Sequence, residues 1–174
     1  MQPLSLETSR LNLRWLTLDD AAFILALVND PDWIRFIGDK SVTNLDAARS
    51  YLETGPMAMY RRHGFGLNRV ALRADYAAIG ICGLLQRETL AEPDLGFAFL
   101  PEFRRRGYAL EAAQAILEHA SKVMGLSRVV AILSPQNIAS AGLLEKLGFN
   151  FERNYQAEPN ASILDQYVID LKNS

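Results

Sequence analysis

The spacing of hydrophobic and polar positions changes period several times along the chain, and each change marks an element. Leu11, Leu13 and Trp15 alternate with Arg10, Asn12 and Arg14 in the two-residue period of a half-buried strand, which predicts a strand over 8–16. Thr17 then reads as a helix cap. Asp19 and Asp20 fall in the first turn, where they favour the helix dipole, and Ala21, Ile24, Leu25 and Val28 form a helical stripe that stops at Asn29-Asp30-Pro31. A second helix opens near Thr43, with Asp46 as capping-box partner, and puts Leu45, Ala48, Tyr51 and Leu52 on one face. Gly55-Pro56 interrupts it, because proline removes an amide donor and clashes with the preceding turn; Pro56 then opens a further segment reaching Arg62.

Three strands follow, over 67–73, 78–85 and 94–100, with links short enough for antiparallel neighbours. From Gly107 to Met124 the period turns helical, with Leu110, Ala113, Leu117, Ala120 and Met124 on one face and Gly125 as the stop. A buried strand over 128–133, a helix over 137–147 ending at Gly148, and two strands over 149–156 and 163–171 around a Pro159-Asn160 turn complete the series. This order predicts an α/β fold, a mixed sheet with helices on both faces. No repeat, linker or low-complexity tract divides the chain, so a single domain over 1–174 is expected, with its core over about 8–172.

With 174 residues, 49% of them hydrophobic, the chain can bury a sizeable core without a metal or disulfide. Its one cysteine, Cys82, lies in the apolar run Ile79 to Leu85 and reads as a small buried hydrophobe; a reducing, cytoplasmic setting is expected. The first ten residues lack the basic and apolar regions of a signal peptide, and no apolar run approaches the ~20 residues of a membrane span, so no membrane association is expected. A formal charge of −2 argues against nucleic acid as a general partner.

Arg104, Arg105 and Arg106 are the local exception. They precede Gly107 in the turn between a strand and a long helix. Amides at a helix start have no intrahelical partner and point outward with partial positive charge, glycine admits a close backbone approach, and arginine adds charge-assisted donors. An anion such as a pyrophosphate fits there. The competing reading is a solvated basic helix start, but cations at that end oppose the dipole and need a partner or a reason.

At these residues the chain resembles the GNAT acetyltransferases. Arg104-Arg105-Arg106-Gly107-Tyr108-Ala109 fills every fixed place of the family's Gln/Arg-x-x-Gly-x-Gly/Ala turn. The resemblance is nearly full length: residues 8–14 are similar to the family's first strand, 79–84 to its third, and Asn137 to Phe149 to its last helix. The details are most similar to the branch that includes the ribosomal-protein N-terminal (alanine/serine) acetyltransferases. The resemblance implies a mostly antiparallel sheet of about seven strands, splayed between the fourth and fifth, with a bulge in the fourth. It also implies acetyl-CoA as co-substrate and no metal. Phe97, Ala98, Phe99 and Leu100 would offer backbone groups to the pantetheine arm, the amides of Arg104, Arg105, Arg106, Gly107, Tyr108 and Ala109 would hold the pyrophosphate, and Asn137 and Ser140 would reach the thioester end. Without the family, Asn137 is a helix cap and Ser140 an ordinary first-turn residue.

The implied reaction is attack by an amine on the thioester through a tetrahedral oxyanion. It requires a neutral amine, oxyanion donors and a way to stabilise the departing thiolate. The resemblance points to Glu158, near the end of the sixth strand, as base; a solvated hairpin-tip carboxylate is the equal alternative. Asp94, in the place of a strand-four acid of many relatives, is the second candidate, one that would act through water. Ser140 is the expected donor to the thiolate, and a strand-four amide the expected oxyanion donor. Trp33, Phe36 and Tyr51 fit either an acceptor pocket or the core. Glu111 is taken as structural, His63 and His119 have no ligand cluster around them, and Gly64-Phe65-Gly66 enters a strand where a dinucleotide-binding turn would precede a helix. The expected partner is an amine acceptor, a protein N-terminus or a small molecule, and the chain is expected to be a monomer or homodimer. A non-catalytic acyl-CoA-binding module and a nucleotide-phosphate enzyme are the competing functions.

Overall fold

The computed structural model describes residues 4–171, so the expected core limit at 172 lies just outside the described residues. The strands are β1 (Ser5–Glu7), β2 (Leu11–Trp15), β3 (Leu67–Leu72), β4 (Ala78–Leu85), β5 (Asp94–Phe99), β6 (Arg128–Leu133), β7 (Asn150–Tyr155) and β8 (Leu164–Asp170). They form one eight-stranded sheet in the order β1-β2-β3-β4-β5-β6-β8-β7. Every neighbouring pair is antiparallel except β5 and β6. The eighth strand arises because the single strand expected over 8–16 is preceded by β1 and a turn. Thr8 closes that turn: its amide donates to the Leu11 carbonyl and its hydroxyl accepts from the Leu11 amide, both at 2.9 Å.

The helices are α1 (Ala21–Val28), α2 (Pro31–Phe36), α3 (Leu45–Thr54), α4 (Pro56–His63), α5 (Tyr108–Lys122) and α6 (Ile138–Lys146). The periodicity did not foresee α2. Asp30 caps it by accepting from the Asp32 and Trp33 amides at 3.1 and 3.3 Å, and Pro31 occupies the first helical position, where its missing amide costs nothing. Asn44 rather than Thr43 caps α3, and Gly55 separates α3 from α4, so Pro56 divides the expected helix into two.

Helices cover both faces of the sheet. On one, Ala112, Ala113, Ile116 and Leu117 of α5 pack on Leu11, Leu13, Val70, Ile79 and Leu84. On the other, Ile24, Leu27, Trp33 and Leu52 pack on Leu16, Leu67 and Ile81. Ile79 and Ile81, two residues apart in one strand, should share a face. They fall in opposite clusters because Val70 opposes Gly80 while Ala71 opposes Ala78, so Ile79 is an extra residue and the alternation inverts. This irregularity replaces the bulge expected in the strand over 94–100, where β4 and β5 pair in unbroken register from Gly80↔Phe99 to Leu85↔Asp94.

The splay is where the family resemblance puts it. The β5–β6 ladder consists of the pair Asp94↔Val130. Beyond it the strands diverge, and one edge of β5 from Leu95 onward has no strand partner among the described residues. The wedge that opens between them positions the site.

Candidate active site

Two cavities occupy the wedge and its continuation. The larger, about 610 Å³, lies between α2, the end of β5, the turn before α5 and the first turn of α6. The smaller, about 330 Å³, lies between β5 and β6 and is walled by α2, α3 and the segment around Lys40. They share Trp33, Phe36, Phe97, Ala98, Asn137 and Ser140, so the two spaces meet beside the diverging strands.

The turn before α5 forms one end of the larger cavity. Gly107 caps the helix at φ 80°, a left-handed conformation, and Arg105 also has positive φ, at 60°. A non-glycine residue held there costs roughly 1–2 kcal/mol and is concentrated at functional turns. The conformation exposes the amides of Arg105 through Leu110, which meet no acceptor among the described residues; the Glu111 amide is the first to close onto the helix, through Gly107 at 3.1 Å. The β1–β2 turn buttresses this arrangement. Glu111 accepts from the Thr8 and Ser9 hydroxyls and the Arg10 amide at 2.5, 3.0 and 2.9 Å, and Arg10 also bonds the Arg106 carbonyl at 3.0 Å and covers the Tyr108 ring. Burial pushes the Glu111 carboxyl up, but the hydrogen bonds from Thr8, Arg10 and Ser9 outweigh it and hold it below the usual range. Glu111 is thus structural.

The three arginines do different work. Arg104 donates from Nε to the Phe99 carbonyl at 2.8 Å and pairs with Asp30 and, at 2.6 Å, Asp32. Its side chain is therefore a strut between β5 and α2 instead of a free anion donor. Arg105 is exposed and lines the larger cavity, whereas Arg106, Tyr108 and Leu100 line neither. Arg104→Gln should remove the strut and leave Asp30 without its cation. We expect a loss of about 2 kcal/mol, seen in thermal denaturation as a fall of roughly 4–8 °C.

At the junction, Asn137 Oδ1 accepts from the Ser140 amide at 3.1 Å, the helix-cap geometry, while both residues also line both cavities. The Ser140 hydroxyl has no hydrogen-bond partner among the described residues. Asp94 lines the smaller cavity, 1% exposed, with Arg87 Nε 3.1 Å from each carboxylate oxygen. Burial pushes its carboxyl above the usual range, while the charge and hydrogen bond of Arg87 pull it back. Glu158 sits on the exposed link between β7 and β8 and lines neither cavity. Cys82 is fully buried, with its thiol pushed up by burial, as expected of a core residue.

A GNAT acetyltransferase domain matches residues 10–150. The chain belongs to the GNAT acetyltransferase family. The GNAT chain is 32% identical over 149 residues to the uncharacterized N-acetyltransferase YoaA of Bacillus subtilis (strain 168), covering 84% of this chain and 83% of that protein. It matches the acetyltransferase of Agrobacterium tumefaciens str. C58 with a TM-score of 0.82 at 25% identity, over 97% and 95% of the two chains. It shares its fold with RimL, a ribosomal L7/L12 alpha-N-protein acetyltransferase in complex with coenzyme A, with a TM-score of 0.74 at 15% identity over 98% and 100%. The GNAT chain is an acetyl-CoA-dependent acetyltransferase.

Several residues at the site carried no role in the sequence reading. Ile37 joins Trp33 and Phe36 in the wall shared by both cavities, and Lys40 and Arg87 line the smaller one. The α2 residues had a signal, the Asp30-Pro31 cap, whereas nothing local marks Arg87. Trp33 is 5% exposed and its indole N–H has no acceptor among the described residues. Such a donor costs roughly 1–3 kcal/mol until a partner is supplied. Among the described residues, no helix is long and apolar enough to cross a membrane.

Proposed function

We propose that the GNAT chain acetylates an α-amino group, that of a peptide or protein N-terminus in the first place. The observation that carries this reading is the meeting of two cavities at Ser140 and the unpaired edge of β5. The uncapped amides of Arg105 through Leu110 and the larger cavity fit the pyrophosphate and pantetheine of acetyl-CoA, which supplies an activated thioester when bound. In this reading the β5 backbone near Phe97 and Ala98 hydrogen-bonds the acyl oxygen as charge develops on it. The Ser140 hydroxyl donates to the leaving sulfur, and Asp94 takes the amine proton through water. Glu158 lies outside both cavities whereas Asp94 lines one, which supports Asp94 in this reading. An α-amino group with pKa near 8 is about 10% neutral at pH 7, against roughly 0.04% for lysine, so it asks less of a distant base.

A small-molecule amine is the second reading. It is favoured by the volume of the smaller cavity, about 330 Å³, at the low end for ligand sites. Free-thiol release from acetyl-CoA, followed over peptides, amino acids, polyamines and aminoglycosides, tests the reaction. Acceptor-dependent thiol release is the expected result. Acetyl-CoA binding without turnover on any acceptor would instead indicate an acyl-CoA-binding module, and preferential binding of ATP or NAD would overturn the cofactor assignment.

A further inference from the structure

The smaller cavity carries more positive than negative charge, which limits what can occupy it. Its charged lining residues are Lys40, Arg87 and Asp94. Asp94 is already engaged by Arg87 Nε, whereas Nη1 and Nη2 of Arg87 and Nζ of Lys40 make no hydrogen bond among the described residues. Arg87 is half exposed, its side chain at 46%, and Lys40 is exposed, so both can meet an incoming group. The remaining wall is largely apolar, with Trp33, Phe36, Tyr51 and Leu164 prominent.

We infer that the acceptor is a compact amino acid or dipeptide with an apolar side chain, its carboxylate held by Arg87 and Lys40. This rests on the acetyl-transfer reading above and, on the charge and size of the smaller cavity, takes its second acceptor class, a small α-amino compound, in place of a protein N-terminus. Paired guanidinium nitrogens match the two oxygens of a carboxylate, and a half-buried setting strengthens that contact. The unpartnered indole N–H of Trp33, in the wall shared by the two cavities, offers one more donor to an acceptor oxygen. A polyamine or aminoglycoside would bring several cations against Lys40 and Arg87, with the one carboxylate already neutralised. A protein N-terminus has no carboxylate of its own within the first two residues unless a side chain supplies one, and the following chain must leave a cavity of about 330 Å³.

The test compares alanyl-phenylalanine with its C-terminal amide, a longer peptide beginning with the same two residues, phenylalanine and spermidine. For the unaltered protein, kcat/KM for the dipeptide should exceed that for its amide by about 10- to 100-fold, the effect of one or two charge-assisted hydrogen bonds. Phenylalanine, run alongside, distinguishes an amino acid from a dipeptide as the natural size. Lys40→Gln and Arg87→Gln should each shrink the acid-to-amide ratio, and the double variant should bring it to within about threefold of unity. The ratio is measured within one protein, so a general loss of activity does not imitate the result. A ratio near one in the unaltered protein, or a longer peptide or spermidine used as well as the dipeptide, overturns the carboxylate site while leaving acetyl transfer intact. Calorimetric binding of the dipeptide and its amide to the coenzyme A-loaded protein reads the same preference without turnover. Selective binding there without acetylation would support the carboxylate site and count against the transfer reading, and absence of binding by either compound would overturn the inference.

Discussion

Gly107→Asp is expected to raise the Kd for acetyl-CoA about 100-fold, near 2.7 kcal/mol, while the protein stays folded. Gly107 caps α5 at φ 80°, and an added Cβ would lie 3.3 Å from Arg10 Nη2, a tight contact with the end of a flexible side chain that can move. Aspartate tolerates the left-handed region better than most residues, so the backbone penalty stays near 1 kcal/mol, within the reach of a stable domain. The new carboxylate would sit among the uncapped amides that face the larger cavity, where it competes for their N–H groups and repels a pyrophosphate. Gly107→Ala adds the Cβ without the charge and should cost less than about tenfold, separating crowding from repulsion. Calorimetric titration with acetyl-CoA, beside a thermal melt of each variant, provides the readout. An unchanged Kd in folded Gly107→Asp would remove the pyrophosphate from this turn.

How far a sequence shows its own site depends on whether the decisive partners are neighbours in the chain. The candidate anion turn was legible because three arginines, a glycine and a helix start are consecutive, and helix-end physics needs nothing further. Which arginine remains free was not legible: Arg104 is taken by Asp30 and Asp32, 74 and 72 residues away, which only the folded packing of α2 against β5 brings to it. Element detection failed where an element was too short to show a period. At six residues α2 spans less than two turns and presents no stripe, and β1 has three residues, too few for alternation to register. For α2 a cap signal was present, since an aspartate followed by proline is a favourable helix start. The extra residue at Ile79 left no trace in the pattern, because the run from Ile79 to Leu85 is apolar on both faces. Asp94 lies in the wedge and Glu158 outside it because of the course of the β7–β8 link and of which strand edge forms the wedge. Both are properties of the assembled sheet.

Asp94→Asn should lower kcat by about 100-fold, the lower range for loss of a general base, and shift the Kd for acetyl-CoA by no more than about threefold. The carboxylate lies in the smaller cavity, 1% exposed, and its neighbour Arg87 is half exposed, so the cation left behind can be solvated. Stability should not confuse the result. Burial raises the Asp94 carboxyl against the opposing pull of Arg87, so the folded state holds this proton more tightly than the unfolded chain does. A group shifted in that direction contributes stability below its unfolded value, near 3.9, and loses that contribution as pH rises through its folded value. At neutral pH the ionised, buried Asp94 therefore carries a desolvation cost that asparagine lacks, and the variant should melt close to the unaltered protein. The pH profile separates a base from a merely structural carboxylate. If Asp94 accepts the amine proton, kcat should rise with pH along an acid limb lying above the ordinary carboxylate range, and this limb should vanish in Asp94→Asn. Glu158→Gln, an exposed position outside both cavities, should stay within about twofold at every pH. The opposite pattern, a large loss for Glu158→Gln with little change for Asp94→Asn, would mean that the β7–β8 link carries the base to the thioester in the working complex.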